Sequence, residues 1–323
     1  MSRAVTAITV PDAHGTATRL DADGVSLHAV RWQPTDPRPG RRVLLVHGLG
    51  AHTLSWEPMA QPLAERLGAE VLAVDLIGFG RTRAPERTAT LGAQRRVVAA
   101  VLEQFGPSLV VGNSMGGSIG IGVTAAHPEL VTALVLVNPA VPHPRPGASD
   151  WLRAAWLAPL AVPSVGARFV ASRARRVGAE RLVDASLQAS LTRTTDFDPD
   201  LRRRMIELTA ERLDWPEVAP AYADAARSLL GYLAWGLHRD LARAAPARPT
   251  LLLHGSEDRL VSLVAARHAA HVHPLTFEVL EGIGHAPQLE DPGRVVDAIT
   301  TWLAARRLDG WDSPADAANH ALT

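Results

Sequence analysis

The stretch Leu109-Val110-Val111-Gly112-Asn113-Ser114-Met115-Gly116-Gly117 decides how this chain folds. It begins with an unbroken apolar run, surrounds one serine with small residues, and leads directly into Ile119, Ile121, Val123 and Ala126. An apolar run without polar alternation is a strand buried on both faces, as in a parallel sheet covered by helices. A strand that turns at once into a helix needs glycine at the turn, because the backbone there is strained and tightly packed. Such a turn holds the Ser114 hydroxyl above the sheet edge. It also sets the Met115 N–H at a helix start, where unpaired donors and the helix dipole favour an anion. The pattern G-x-S-x-G is short enough to arise by chance, and its place between strand and helix is what gives it weight.

Working outward, the same kind of run recurs at Val43–Val46, Val71–Val74, Ala133–Val137 and Leu251–Leu253. Helical spacing lies between the runs: Leu91, Val98, Leu102 and Phe105 share one face, and so do Val295, Ile299, Trp302 and Leu303. Strand followed by helix, repeated, predicts an α/β fold with a doubly wound, mostly parallel sheet. Ala17–Leu20 and Val25–Trp32 flank Asp23-Gly24, which predicts an antiparallel hairpin at the sheet edge. From Val141 to Ala245 no strand pattern is present, and the region reads as helical. The expected organisation is a core domain in two parts, residues 1–140 and 246–308, with a helical insertion over 141–245 and a C-terminal tail over 309–323. Trp151, Trp156, Phe169, Phe197, Trp215, Tyr222, Tyr232 and Trp235 fall in the insertion. Most are expected to form its own small core, with one or two lining an apolar pocket over the site.

Composition removes several classes of function. Lys plus Arg and Asp plus Glu number 33 each, so the basic excess of a nucleic-acid binder is missing. The chain has no cysteine, which excludes disulfide scaffolds, thiolate metal sites and thiol nucleophiles. No apolar stretch is long enough for a membrane span, and the first residues lack the apolar run of a secretory leader, so a cytoplasmic location is the default expectation. His271 and His273 lack the nearby carboxylates that would make a metal site of them.

Three further loops carry chemistry. His47-Gly48-Leu49-Gly50 follows an apolar run, and the Leu49 backbone N–H is expected to pair with that of Met115 around a developing oxyanion. His47 itself reads as a structural group that hydrogen-bonds the loop. Asp258, in Gly255-Ser256-Glu257-Asp258, follows Leu251–Leu253 and is placed to orient an imidazole. Glu257 is its rival, but in an extended loop it would point the other way. His285, in Gly282-Ile283-Gly284-His285, stands apart from the other histidines by its glycine-flanked loop, which permits close approach to Ser114.

The order serine, acid, histidine differs from that of two familiar protease arrangements and matches a third. With His47-Gly48, the run Asp75-Leu76-Ile77-Gly78-Phe79-Gly80-Arg81-Thr82, Gly112–Gly117, Gly255–Asp258 and Gly284-His285 in this sequence, the chain resembles the α/β-hydrolase family over about Ala17 to Arg306. The insertion then matches the family's variable cap. Asn138 follows Ala133–Val137, where some members place the acid, and as an amide it leaves that role to Asp258. The resemblance implies Ser114 as nucleophile, His285 as base and Asp258 as its orienting acid, with no cofactor or metal. The expected substrate is a small apolar or aromatic carboxylic ester. Carbon–carbon bond hydrolysis, thioester or lactone cleavage, and a non-catalytic receptor are the alternatives. Epoxide hydrolases and haloalkane dehalogenases of the family use a carboxylate where this chain has Ser114.

Overall fold

A computed structural model describes residues 11–12, 15–83, 86–144, 162–306, 308 and 311. Among these residues nine strands are present: β1 (Pro11–Asp12), β2 (Gly15–Ala22), β3 (Val25–Trp32), β4 (Arg42–Val46), β5 (Glu70–Val74), β6 (Ser108–Asn113), β7 (Val131–Val137), β8 (Thr250–Gly255) and β9 (Thr276–Leu280). They form one sheet in the order β1-β2-β3-β5-β4-β6-β7-β8-β9. The pairs from β5 through β9 are all parallel, and β1, β2 and β3 add an antiparallel edge. The β2–β3 hairpin turns on Asp23 (φ 47°) and Gly24 (φ 71°), both in the left-handed conformation that suits a two-residue turn.

Alternate strand residues feed two cores. Leu44, Val46, Val110, Leu134, Leu136 and Leu252 face one side, against α2 (Leu91–Phe105) and α3 (Met115–Ala126). Val43, Leu45, Leu109, Val111, Val135 and Leu253 face the other, against α1 (Glu57–Leu67) and the C-terminal helix, residues Pro292–Arg306. Both faces are apolar, which is why the strands show continuous rather than alternating hydrophobicity.

After β7 come α4 (Pro163–Val177), α5 (Ala179–Ser190), α6 (Pro199–Leu213), α7 (Val218–Trp235) and α8 (Leu237–Ala247), with no strand among the described residues until β8. Two packing features concern these stretches. Leu237, Leu241, Ala244 and Ala245 of α8 are buried in the main core beside α3, so the last helix of the 141–245 stretch packs with the sheet domain. Trp311, within the stretch expected to be tail, is buried with the C-terminal helix and lies under the Arg41 guanidinium at 5.7 Å. Asp312 to Thr323 lie outside the described residues. Among the described residues the remaining α-helices are α9 (Leu263–Val272), α10 (Pro287–Glu290) and α11, the C-terminal helix already described.

The interior of the insertion corrects the aromatic expectation. One cluster is built from Val183, Leu187, Leu191, Leu201, Met205 and Leu208, seated on Leu54 and Ala286, with Phe197 only partly buried against them, and a smaller one around Ala223 and Ala226 takes Tyr222 as its one ring. Trp215 lies under Arg83 at 4.7 Å, Tyr232 under Arg95 at 3.9 Å, and Trp235 is 89% exposed. Aliphatic side chains at helical spacing fill a small interhelical space more easily than rings do. Trp151 and Trp156 lie outside the described residues.

Candidate active site

The parallel strands end along one sheet edge, and each expected site residue lies just beyond a strand or on a loop at that edge, where open α/β sheets bind ligands. Ser114 joins β6 to α3 with φ 53° and ψ −116°, a conformation L-residues rarely adopt. Such strain costs roughly 1–3 kcal/mol and persists only where the surroundings enforce it. Here the Ser114 N–H donates to Val137 O at 3.1 Å, and Ser114 O accepts from Ser118 N and Ala140 N, each at 3.2 Å. Close packing explains the glycines. A Cβ on Gly116 would sit 2.0 Å from Val46 O, and one on Gly112 would meet the Gly116 carbonyl carbon at 2.5 Å. Met115 is the first residue of α3, so its N–H has no carbonyl one turn back within the helix.

The loop after β4 lies against this turn. A Cβ on Gly48 would come within 3.2 Å of Ser114 Cβ, so the Gly48-Leu49 backbone passes directly beside the serine. His47 fixes the loop from below: Nδ1 lies 2.8 Å from Gly48 O, and Nε2 accepts from the Leu76 N–H at 3.0 Å. This pairing requires the neutral Nδ1–H tautomer. Burial, the largest influence, lowers the His47 pKa despite the nearby Asp75. Beneath it, fully buried Asp75 accepts from Thr53 N (2.7 Å) and Arg81 N (2.8 Å) and meets His28 Nδ1 at 2.9 Å. Burial alone would raise its pKa, but the His28 hydrogen bond and charge, His47 and the Arg81 N–H together hold it well below the usual carboxylate range.

Asp258 and Glu257 separate clearly. The Asp258 side chain is wholly buried, whereas Glu257 is exposed. Asp258 Oδ2 lies 2.8 Å from His285 Nδ1 and accepts from Asn138 Nδ2 at 2.7 Å, while Oδ1 accepts from Leu260 N (2.7 Å) and Val261 N (2.9 Å). Burial pushes this carboxyl's pKa upward, yet the bond to His285, its charge and the Asn138 and Val261 donors leave it lowered overall. Both backbone ends of His285 are also held. Its N–H donates to Ser190 O at the end of α5 (2.6 Å), and its carbonyl accepts from Asn113 Nδ2 (3.2 Å), one residue before Ser114.

Several further groups support the site. Asn138, itself at φ 44°, bridges Asp258, Gly284 O (3.2 Å) and Gly255 N (3.2 Å). Its position directly after a strand marks it in the sequence as the amide that leaves the acid's role to Asp258, but nothing there points to these three bonds. Glu290 accepts from Gly284 N at 2.7 Å and Thr192 N at 2.9 Å, and no local pattern points to it. Tyr222 of α7 packs over the loop after β4, its ring 3.2 Å from where a Cβ of Gly50 would lie. Among the described residues no group of three or more His, Asp or Glu is placed to hold a metal, and His273 instead lies 3.2 Å from His238.

Comparison with known proteins settles the ancestry. The profile of the alpha/beta hydrolase fold matches residues 41–292. The chain belongs to the α/β-hydrolase family. This α/β hydrolase is 30% identical to the lipase LipV of Mycobacterium tuberculosis over 87% of its own length and 99% of that protein. It is 38% identical to the 2-hydroxy-6-oxo-6-(2'-aminophenyl)hexa-2,4-dienoic acid hydrolase of Metapseudomonas resinovorans, over 31% of this chain and 36% of that one. The crystal structure of a membrane phospholipase A shares the fold with a TM-score of 0.70 and 23% identity, over 91% of this chain and 87% of that one. No helix among the described residues of this hydrolase is long and apolar enough to cross a membrane.

Proposed function

We propose that this hydrolase cleaves a carboxylic ester with an apolar or aromatic acyl group, through an acyl-enzyme on Ser114. The observation that carries the reading is the 2.8 Å Asp258–His285 contact at the same sheet edge as the strained Ser114 turn. A serine hydroxyl is a weak nucleophile until a base takes its proton. In this scheme Ser114 Oγ attacks the ester carbonyl as His285 Nε2 accepts that proton. The tetrahedral oxyanion is met by the Leu49 and Met115 N–H groups, and His285 then protonates the departing alkoxide. Water, deprotonated by the same imidazole, releases the acid. Asp258 keeps the proton of neutral His285 on Nδ1 and stabilises the imidazolium. Asn138 and the Ser190 carbonyl hold that pair in register.

The resemblance to a lipase over nearly its whole length supports the ester substrate. The match to a dienoic acid hydrolase, shorter but at higher identity, favours carbon–carbon bond cleavage as the second reading. Turnover of p-nitrophenyl esters of increasing acyl length, wild type beside Ser114→Ala, separates them. Ser114-dependent hydrolysis with an optimum in chain length supports the esterase. Absence of ester hydrolysis by a folded enzyme that cleaves a vinylogous diketone acid would replace it with the second reading.

A further inference from the structure

At the far end of α3, roughly 17 Å along the helix from Met115, the surface opens into a cleft of about 340 Å³ between α2, α3 and α8. Arg95 and Arg96 line it from α2, and Arg239 and Arg243 from α8. Asp240 is the sole carboxylate among the lining residues, and Arg96 also pairs with Asp23 at 3.6 Å, so the four guanidinium groups leave a local excess of two positive charges. Both Asp240 oxygens are engaged, Oδ1 by Arg239 Nε at 3.0 Å and Oδ2 by Arg95 Nη1 at 3.4 Å.

Arg95 has further capacity. Its guanidinium lies 3.9 Å over the Tyr232 ring and close against Gly122, where a Cβ would come within 2.2 Å of Cζ. Its Nε and Nη2 are buried with no hydrogen-bond partner among the described residues. Buried donors left unpaired are costly, more so when charged, and the arginines around them favour an anion. The α3 terminus here is the carbonyl end, whose dipole repels anions. Binding would therefore fall to the guanidinium forks, whose planar donors match the paired oxygens of phosphate.

We infer that this cleft is a binding site for a phosphoryl group, either inorganic phosphate or the phosphate of a small metabolite, separate from the Ser114 site. Two negative charges would offset the local excess.

Calorimetric titration of the full chain with inorganic phosphate and with pyrophosphate, at ionic strength fixed with sodium chloride, tests this. The comparison is Arg96→Ser/Arg243→Ser, which alters exposed residues at the rim and leaves the packed Arg95 in place. The expected result is saturable binding of at least one anion at one site per chain, weakened tenfold or more in the double variant while its unfolding midpoint in chloride alone is unchanged. No saturable binding by the wild type, or equal affinity in the variant, overturns the proposal.

Discussion

Replacing Asn138 with alanine removes three hydrogen bonds from the base of the proposed site: to Asp258 Oδ2 at 2.7 Å, to Gly284 O at 3.2 Å and from Gly255 N at 3.2 Å. The first is made to a charged acceptor and contributes about 1.5–3 kcal/mol. The buried Gly255 N–H, left without a partner, costs about 1–3 kcal/mol more. Alanine at φ 44° adds about 1 kcal/mol, because asparagine tolerates the left-handed conformation better. These contributions share one site and do not simply add, so the expected loss of stability is about 4 kcal/mol by denaturant unfolding. Activity should fall as well. Asp258 keeps its Leu260 and Val261 donors but loses the one that sets Oδ2 against His285. Misplacement by about an ångström costs on the order of 10²-fold, so kcat/KM should drop by about that factor in the folded variant. A variant within 1 kcal/mol and twofold of wild type would refute this account of what holds Asp258.

Three other outcomes follow from the same geometry. Asp258→Asn should reduce ester turnover by orders of magnitude and Glu257→Gln hardly at all, measured as kcat/KM; the reverse ranking would exchange their roles. Gly116→Ala should abolish folding or cost several kcal/mol on denaturation, because its Cβ would meet the backbone oxygens of Val46 at 2.0 Å and His47 at 2.7 Å, neither of which can swing away. Stability should decline below about pH 6.5, since burial keeps His47 neutral and lowers the His52 pKa to about 3 while the unfolded chain protonates both. Each histidine held neutral in this way contributes a slope of about 1.4 kcal/mol per pH unit, which for His52 persists until about pH 3. The lowered pKa values of Asp75 and Asp258 act later: their contribution is complete above the ordinary carboxylate range and is lost as pH falls through each depressed value. Unfolding measured from pH 8 to pH 4 checks the order, and a flat profile down to pH 5 would contradict the histidine contribution.

The strands were legible because burial on both faces leaves no room for polar residues, so Val43–Val46 and Leu251–Leu253 are marked by composition alone. The Ser114 turn was legible because steric crowding at Gly112 and Gly116 is written locally as glycine. Support for the site was not, because it joins distant segments: Asn138 to Asp258 across 120 residues, and Ser190 O to His285 N between the insertion and a core loop. Nothing in the local pattern around Ser190 reveals that its carbonyl faces a backbone donor from the last third of the chain. The insertion misled for a related reason. Aromatic residues suggest a core, but Trp215 and Tyr232 spend their faces on Arg83 and Arg95, and the packing falls to leucine, valine and methionine.

The most direct test of the central claim is covalent capture of the nucleophile. The protein is incubated with a fluorophosphonate, then weighed intact and mapped by peptide mass spectrometry. One adduct per chain on Ser114, absent in Ser114→Ala and strongly slowed in Asp258→Asn, is the predicted result. An unlabelled wild type of confirmed fold, or an adduct on another residue that persists in Ser114→Ala, would contradict it.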